Sequence, residues 1–127
     1  MGRRFSREFG KPGEHYKEIM KVISFFFAAM FYIYILYSQC SNRYYVGHTN
    51  DPERRLIEHN TTDEVKYTSK YRPWEMVLCF EVSENRGDAV KIEKFIKRQK
   101  SSIFLRKLID TKEDKSFFRT LINNVLG

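Results

Sequence analysis

Three runs along the chain have the residue pattern of β-strands. Residues 31–38 are almost wholly β-branched or aromatic, and residues 43–48 follow them after the turn-forming stretch Gln-Cys-Ser-Asn. Two such runs joined by a short loop predict a β-hairpin. Residues 74–83 form a third run that is largely apolar, as is typical of a strand in the middle of a sheet. The pattern therefore predicts a small sheet with the third run at its centre.

Helical signals lie between and after these strands. Asp51 can cap a helix and Pro52 suits its first position, so a helix is expected from there to Asn60. The polar residues 61–72 predict a loop. Apolar residues at positions 89, 92 and 96 recur at helical spacing and predict a helix over residues 89–100.

The strands and helices together predict an α/β domain of the α+β type, in which a small three-stranded antiparallel sheet is flanked by helices. Two more helices are expected, one ending near Ile109 and one over residues 113–126. A chain of 127 residues can bury one core. We therefore expect an N-terminal extension at residues 1–29, basic then apolar, a main domain at residues 30–110, and a helical tail at residues 111–127.

The apolar run at residues 22–37 is broken only by Ser24, which raises the question of a membrane segment. This run is shorter than the roughly 20 apolar residues that a helix needs to cross a bilayer, and its second half has a strand pattern. Stable membrane insertion is therefore not expected. A membrane-associated protein anchored by residues 22–30 is the alternative.

The charge of the chain favours a polyanionic partner. Its 23 lysines and arginines exceed its 16 aspartates and glutamates, which gives a formal net charge of +7. Residues 91–119 hold ten of the basic residues and four of the acidic ones, so the positive field is strongest toward the C-terminus. Cys40 and Cys79 lie far apart without a zinc-binding spacing, and this fits a reducing cytoplasm.

Two tyrosines of the predicted hairpin are candidates for chemistry. A four-residue loop at positions 39–42 would pair Ser38 with Arg43 and place Tyr34 and Tyr45 on the same face. Two phenols would then share one surface. The alternative is that both are ordinary half-buried aromatic residues of a strand.

Arg55 and His59 lie four residues apart on the first predicted helix, so their side chains project from the same side. A guanidinium there could hold two phosphate oxygens, and an imidazole beside it could transfer a proton near neutral pH. The alternative is a solvated helix face on which Arg54 and Glu58 are the neighbours.

Glu93 lies within the apolar stripe formed by positions 89, 92 and 96. A carboxylate that faces a core is unfavourable unless it is paired or binds a metal. One carboxylate, with water and phosphate oxygen at the other positions, is a usual way to hold Mg²⁺. The alternative is an ion pair with Lys97, one helical turn later.

Taken together, these residues resemble the GIY-YIG nuclease family over about residues 30–109. The sequence Tyr-Ile-Tyr at 32–34 stands at the first family motif, and Tyr-Val-Gly at 45–47 stands at the second. Arg55, His59 and Glu93 match the family's arginine, its aromatic or histidine position, and its metal-binding glutamate. The surrounding sequence is similar to the short single-domain bacterial branch and to the catalytic domain of the excision-repair nuclease subunit.

The chain departs from the family pattern at a few positions. Tyr32 replaces the glycine of the first motif, and His48 replaces the lysine of the excision-repair branch. The C-terminal asparagine of longer members has only Asn123 or Asn124 as counterparts.

The resemblance implies a metal-dependent endonuclease that hydrolyses phosphodiester bonds in nucleic acid, with DNA as the expected substrate. Glu93 would hold Mg²⁺ or Mn²⁺. The implied catalytic residues are Tyr34, Tyr45, Arg55, His59 and His48, and the implied nucleic-acid-binding residues are Lys66, Lys97, Arg98 and Lys100.

A catalytically silent nucleic-acid-binding module on the same fold is the main alternative, because a basic surface with exposed aromatic residues suffices for binding. Glu93 separates the two hypotheses, since a carboxylate on the nucleic-acid-binding surface contributes nothing to the binding of a polyanion.

Overall fold

The computed structural model describes residues 15, 17–19 and 30–127 of the chain. The rest of the expected N-terminal extension lies outside the described residues. From residue 30 onward the elements are β1 (Phe31–Ser38), β2 (Arg43–Thr49), α1 (Pro52–Thr61), α2 (Lys66–Ser69), β3 (Glu75–Ser83), α3 (Arg86–Arg98), α4 (Ser102–Asp110) and α5 (Lys115–Leu126).

The three strands form the antiparallel sheet that the sequence predicts, in the order β2-β1-β3. The prediction that the third run lies at the centre is wrong, because β1 is the central strand. Four consecutive β1 residues, 33–36, are buried, so both faces of this strand are covered. On β3 the buried Leu78 and Phe80 alternate with exposed Cys79 and Glu81, and this alternation is typical of a strand with one covered face.

The hairpin register is the expected one. Ser38 lies opposite Arg43 and Tyr34 lies opposite Gly47. The loop reverses at Asn42, whose φ of 53° lies in the left-handed region that asparagine tolerates better than most residues. Since the side chains of a strand alternate between faces, this register places Tyr34 and Tyr45 on one face.

The main core lies between one face of the sheet and helices α3, α4 and α5. Helix α3 buries the predicted positions 89, 92 and 96, and α5 adds Phe118 and Ile122. The Phe118 ring stacks on Phe80 of β3 with centroids 4.4 Å apart. The C-terminal helix is thereby held against the sheet by aromatic packing.

The opposite face of the sheet carries a second, smaller core of Tyr34, Leu36 and Trp74, against which Leu56 of α1 packs. Asn60 fixes the chain at Trp74, because its side chain accepts from the Trp74 backbone N–H at 2.7 Å and donates to the Trp74 carbonyl at 3.0 Å. These bonds hold α1 over the strand that carries Tyr34.

The helix boundaries follow their capping residues. The side chains of Asp51 and Ser101 accept backbone N–H bonds at the starts of α1 and α4. Helix α3 begins at Arg86, before the predicted residue 89, because Asn85 caps it through the Gly87 N–H. The segment 61–72, predicted as a loop, contains the short helix α2.

Within the described part of the chain, no helix is both long and apolar enough to cross a membrane. The second half of the apolar run at residues 22–37 forms β1, as its pattern predicts. Residues 22–29 lie outside the described residues.

Candidate active site

Tyr34 lies at the middle of the central strand, on the face covered by α1. Its side chain is 1% exposed and its ring lies against the backbone of Gly47 on β2. A Cβ atom at position 47 would lie 2.5 Å from the Tyr34 hydroxyl oxygen and 2.6 Å from Cζ. Only glycine therefore leaves room for the phenol, which explains the glycine of the second motif in physical terms.

A directed chain of hydrogen bonds runs from the Tyr34 hydroxyl into the protein. It joins Tyr34 Oη to His59 Nε2 at 2.8 Å, His59 Nδ1 to Thr68 Oγ1 at 2.8 Å, and Thr68 Oγ1 to the Val65 carbonyl at 3.0 Å. A carbonyl only accepts, so the Thr68 hydroxyl donates to it and must accept from His59 Nδ1–H. His59 Nε2 is then the acceptor, and the Tyr34 O–H donates to it.

Burial controls the protonation of both groups. It lowers the pKa of His59 to about 4, and the cationic Arg55 adds to this shift. Burial, with neighbouring Tyr45, raises the pKa of Tyr34 above its ordinary value, while Arg55 opposes that rise. At neutral pH the pair is therefore a neutral phenol that donates to the unprotonated Nε2 of a neutral imidazole.

Arg55 reaches this pair from the same side of α1 as His59, as the spacing predicts. The guanidinium is close enough to Tyr34 to lower its pKa, although burial dominates and raises it. Arg55 Nη1 also donates to Glu58 Oε1 at 2.8 Å, and Arg54 donates to the other Glu58 oxygen. The pairing considered as the alternative therefore exists, but the Arg55 side chain remains 25% exposed and borders the site.

Tyr45 shares the face of Tyr34, as predicted, with ring centroids 6.4 Å apart. Its ring is 4.8 Å from the His59 ring and 6.3 Å from the ring of Tyr67 on α2. Tyr67 is 42% exposed, so this aromatic row leads from the buried pair to the surface.

Glu93 and His48 form a second group at the β2 edge of the sheet. Glu93 Oε1 lies 2.5 Å from His48 Nδ1, and Glu93 Oε2 accepts from Lys97 Nζ at 2.6 Å. Arg86 Nη1 lies 3.2 Å from His48 Nε2 and can only donate, so His48 donates to Glu93 through Nδ1–H. The Lys97 pair expected as the alternative is therefore present, and Glu93 has a further partner in His48.

The two groups lie on different sides of β2 but influence each other. His48 is paired with Ile33 and turns toward α3, whereas Gly47 and Tyr34 face α1. The pKa of Tyr34, raised chiefly by burial, is raised further by the Glu93 carboxylate. Lys97 joins the groups, because its ammonium nitrogen lies 5.7 Å from the centre of the Tyr45 ring.

The side chains around Glu93 fit a metal ion that is held by this one carboxylate. Among the described residues, no group of three or more histidine, cysteine, aspartate or glutamate side chains lies close enough to hold an ion. Glu93 is 17% exposed, and its Oε2 already attracts the ammonium of the half-exposed Lys97. A hard cation bound through Glu93 would take its other ligands from water and substrate oxygen.

The remaining predicted residues are distributed over the surface. Lys97 and Lys100 line a groove of about 350 Å³ with Tyr45 and Tyr67 at the β2 edge. Lys66 is exposed on α2, next in sequence to Tyr67. Three more residues that were singled out from the sequence are exposed, namely Arg98 on α3 and Asn123 and Asn124 on α5.

The sequence interpretation missed Thr68 and Arg86. Thr68 is fully buried and fixes the His59 tautomer, and the Trp74 indole N–H holds the Thr68 carbonyl at 2.7 Å. Its only sequence signal was a hydroxyl residue between Tyr67 and Tyr71 in a polar stretch. Arg86 lies 38 residues from His48 along the chain, and no local pattern links the two.

Comparison with known proteins identifies the family of the chain. The sequence profile of the GIY-YIG catalytic domain matches residues 30–108. A UPF0213 protein of Enterococcus faecalis is 42% identical over 69 residues, which cover 53% of this chain and 76% of that protein. A UPF0213 protein of Listeria welshimeri is 38% identical over 84 residues, covering 65% of this chain and 90% of its own length.

More distant similarity extends to a nuclease. Structure-specific endonuclease subunit SLX1 homolog 1 of Trypanosoma cruzi is 40% identical over 53 residues, which cover 37% of this chain and 10% of that protein. No solved structure gives a significant match. Because the domain profile covers more than half of the sequence, the chain belongs to the GIY-YIG catalytic domain family, a family of nucleases.

Proposed function

We propose that this protein is a divalent-metal-dependent endonuclease that hydrolyses phosphodiester bonds in nucleic acid, with DNA as the substrate. One observation carries the proposal: the Tyr34 phenol donates to a buried histidine whose tautomer leaves Nε2 free to accept a proton. A buried tyrosine hydroxyl needs a hydrogen-bond partner in any case, and here that partner is a neutral imidazole that can take its proton. The similarity to a structure-specific endonuclease supports the same reaction class.

In the proposed reaction, the Tyr34 oxygen removes a proton from the attacking water while its own proton passes to His59 Nε2. The water oxygen bonds to phosphorus as the bond from phosphorus to the ester oxygen breaks. The leaving oxygen takes a proton from solvent and His59 Nε2 returns its proton to solvent, so a diester and water give a monoester and an alcohol. Arg55 neutralises charge that develops on the phosphate oxygens. Tyr45 covers the His59 ring, which limits the access of bulk water to the relay.

Glu93 would hold the Mg²⁺ or Mn²⁺ ion, and His48 positions that carboxylate through its Nδ1–H. The ion would polarise the phosphate and stabilise the leaving oxygen. Binding of a cation would release Lys97 from Glu93 to interact with phosphate. Lys66, Arg98 and Lys100 would add to the attraction for nucleic acid.

A cytoplasmic location is part of the proposal, because the thiols of Cys40 and Cys79 are free, as is usual for proteins of a reducing compartment.

The deciding experiment compares the parent protein with Glu93→Gln on single-stranded, duplex and branched DNA and on RNA, with Mg²⁺ varied from zero to saturation. Glutamine keeps the shape and the hydrogen bond from His48 but removes the charge that attracts a hard cation. We expect cleavage to be lost and nucleic-acid binding to be retained. Glu75→Gln is the matched control, because Glu75 is exposed and lies opposite Tyr37, at the far end of the sheet.

The outcomes separate the alternatives. Retained Mg²⁺-dependent cleavage by Glu93→Gln would remove this carboxylate from the mechanism and leave it as the partner of Lys97. Failure of the parent to cleave any substrate, with binding intact, would favour the catalytically silent nucleic-acid-binding module.

A further inference from the structure

A second groove, of about 290 Å³, lies at the opposite edge of the sheet from the Glu93 group. Tyr32 of β1 and Cys79, Phe80 and Glu81 of β3 form its floor, and its wall is formed by Lys112, Lys115, Phe118 and Arg119. The wall residues all follow residue 108, where the match to the family domain ends. The groove is therefore built in part by the segment that follows the matched domain.

The floor of this groove adjoins the proposed catalytic tyrosine. Cys79 lies directly opposite Tyr34 across the β1–β3 pair, and Glu81 lies opposite Tyr32. Tyr32 and Tyr34 are two residues apart on β1, so they project from the same face about 7 Å apart. A nucleic-acid strand whose phosphate is at Tyr34 would extend within a nucleotide or two of this groove.

The charges in the groove favour an anion. Lys112, Lys115 and Arg119 are exposed, and none of them takes part in the ion pairs that the structure gives for residues 30–127. Glu81 is the one carboxylate among the lining residues. Among the described lining residues, three cations against one carboxylate leave a net charge of +2.

The packing of α5 holds two of these cations, Lys115 and Arg119, in place. The Phe118 ring is stacked on Phe80, and Asp114 caps the helix by accepting from the Phe117 N–H at 3.1 Å. Lys115 and Arg119 are four residues apart and share one side of α5. The wall is thus preformed, and binding does not have to order a flexible tail.

We propose that this groove binds the strand next to the scissile bond, with phosphates at Lys112, Lys115 and Arg119 and an unpaired base stacked on Tyr32. The proposal rests on the proposed function for its substrate, nucleic acid, but places the substrate on a surface unrelated to Glu93. Aromatic rings beside cations are the usual platform for single-stranded nucleic acid. Tyr32 supplies the aromatic ring at this groove.

The test measures binding of a labelled single-stranded oligonucleotide by fluorescence anisotropy, without divalent metal, over a series of salt concentrations. In Lys115→Ala combined with Arg119→Ala, the loss of two phosphate contacts should make the slope of log K against log salt less steep by about 1.4. Lys91→Ala combined with Lys94→Ala is the control, because these exposed α3 residues carry the same charge on the side away from the core. Its slope should equal that of the parent.

Two single variants test the floor of the groove. Tyr32→Ser should weaken single-strand binding by roughly tenfold without changing the slope, because stacking is lost and no charge changes. Glu81→Gln should strengthen binding, because it removes the carboxylate that opposes the phosphates.

Equal slopes for the α5 pair and the α3 pair would overturn the inference, as would a parent protein that does not bind the oligonucleotide. A parent that binds with the expected slopes but never cleaves would support the groove and refute the nuclease. A parent that cleaves, with slopes unaffected by the α5 pair, would support the nuclease and refute the groove.

Discussion

The contact between Tyr34 and Gly47 gives a prediction whose size follows from the structure. A methyl group at position 47 would lie 2.5 Å from the Tyr34 oxygen and 2.6 Å from Cζ, whereas unstrained contacts lie at about 3.5–4.0 Å. The ring must therefore move by about 1 Å, which breaks the bond to His59. Overpacking and the lost hydrogen bond together should lower the free energy of unfolding of Gly47→Ala by ~2–4 kcal/mol.

Urea unfolding followed by the fluorescence of Trp74 measures this change directly, since Trp74 is the single tryptophan and lies in the same small core. Gly87→Ala is the control: its Cβ would approach only the exposed Asn85 side chain that caps α3, at 3.1 Å, so the change should not exceed the ~1 kcal/mol that such a cap contributes. Gly47→Ala should also lower cleavage by at least about 100-fold, because Tyr34 no longer donates to His59.

A double-mutant cycle tests whether the Tyr34 ring causes the penalty of a methyl group at position 47. In a Tyr34→Ala background the ring is absent, and Gly47→Ala should then change the free energy of unfolding by less than ~1 kcal/mol. An equal penalty in both backgrounds would show that the requirement for glycine comes from the backbone rather than from the phenol.

Three further predictions concern the relay and the basic surface. The pKa of His59 is about 4 in the folded protein and near 6.5 when unfolded, so the unfolded chain binds more protons between these values. The contribution of neutral His59 to the free energy of unfolding should be complete above about pH 6.5 and should fall by on the order of 3 kcal/mol toward pH 4. Urea unfolding of His59→Gln should lack this pH dependence. Thr68→Val should slow cleavage while Thr68→Ser preserves it, since only serine keeps the acceptor for His59 Nδ1–H; equal rates would contradict the tautomer assignment. Lys97→Met combined with Lys100→Met should reduce the salt slope for duplex DNA by about 1.8, measured by anisotropy, and an unchanged slope would place the duplex elsewhere.

The local sequence determined most of the elements and the hairpin register. Asp51 and Pro52 fix the start of α1 because capping needs only neighbouring residues. The four-residue loop before Arg43 determined that Tyr34 and Tyr45 share a face, because side chains alternate along a strand. The helical spacing of Arg55 and His59 likewise placed both on the side that borders Tyr34.

Tertiary structure alone decided the strand order and the chemistry of the site. An apolar run does not reveal which strand is central, because burial of both faces depends on elements far away in the chain. The tautomer of His59 depends on Thr68, and the position of the Glu93 carboxylate depends on His48, which lies 45 residues away in the sequence. The second groove, lined by Tyr32 and the C-terminal cations, likewise exists only because Phe118 packs on Phe80 and brings Lys115 and Arg119 of α5 to β3. Sequence spacing determines which side chains share a face, whereas burial and long-range contacts determine the protonation states and the hydrogen-bond partners of those side chains.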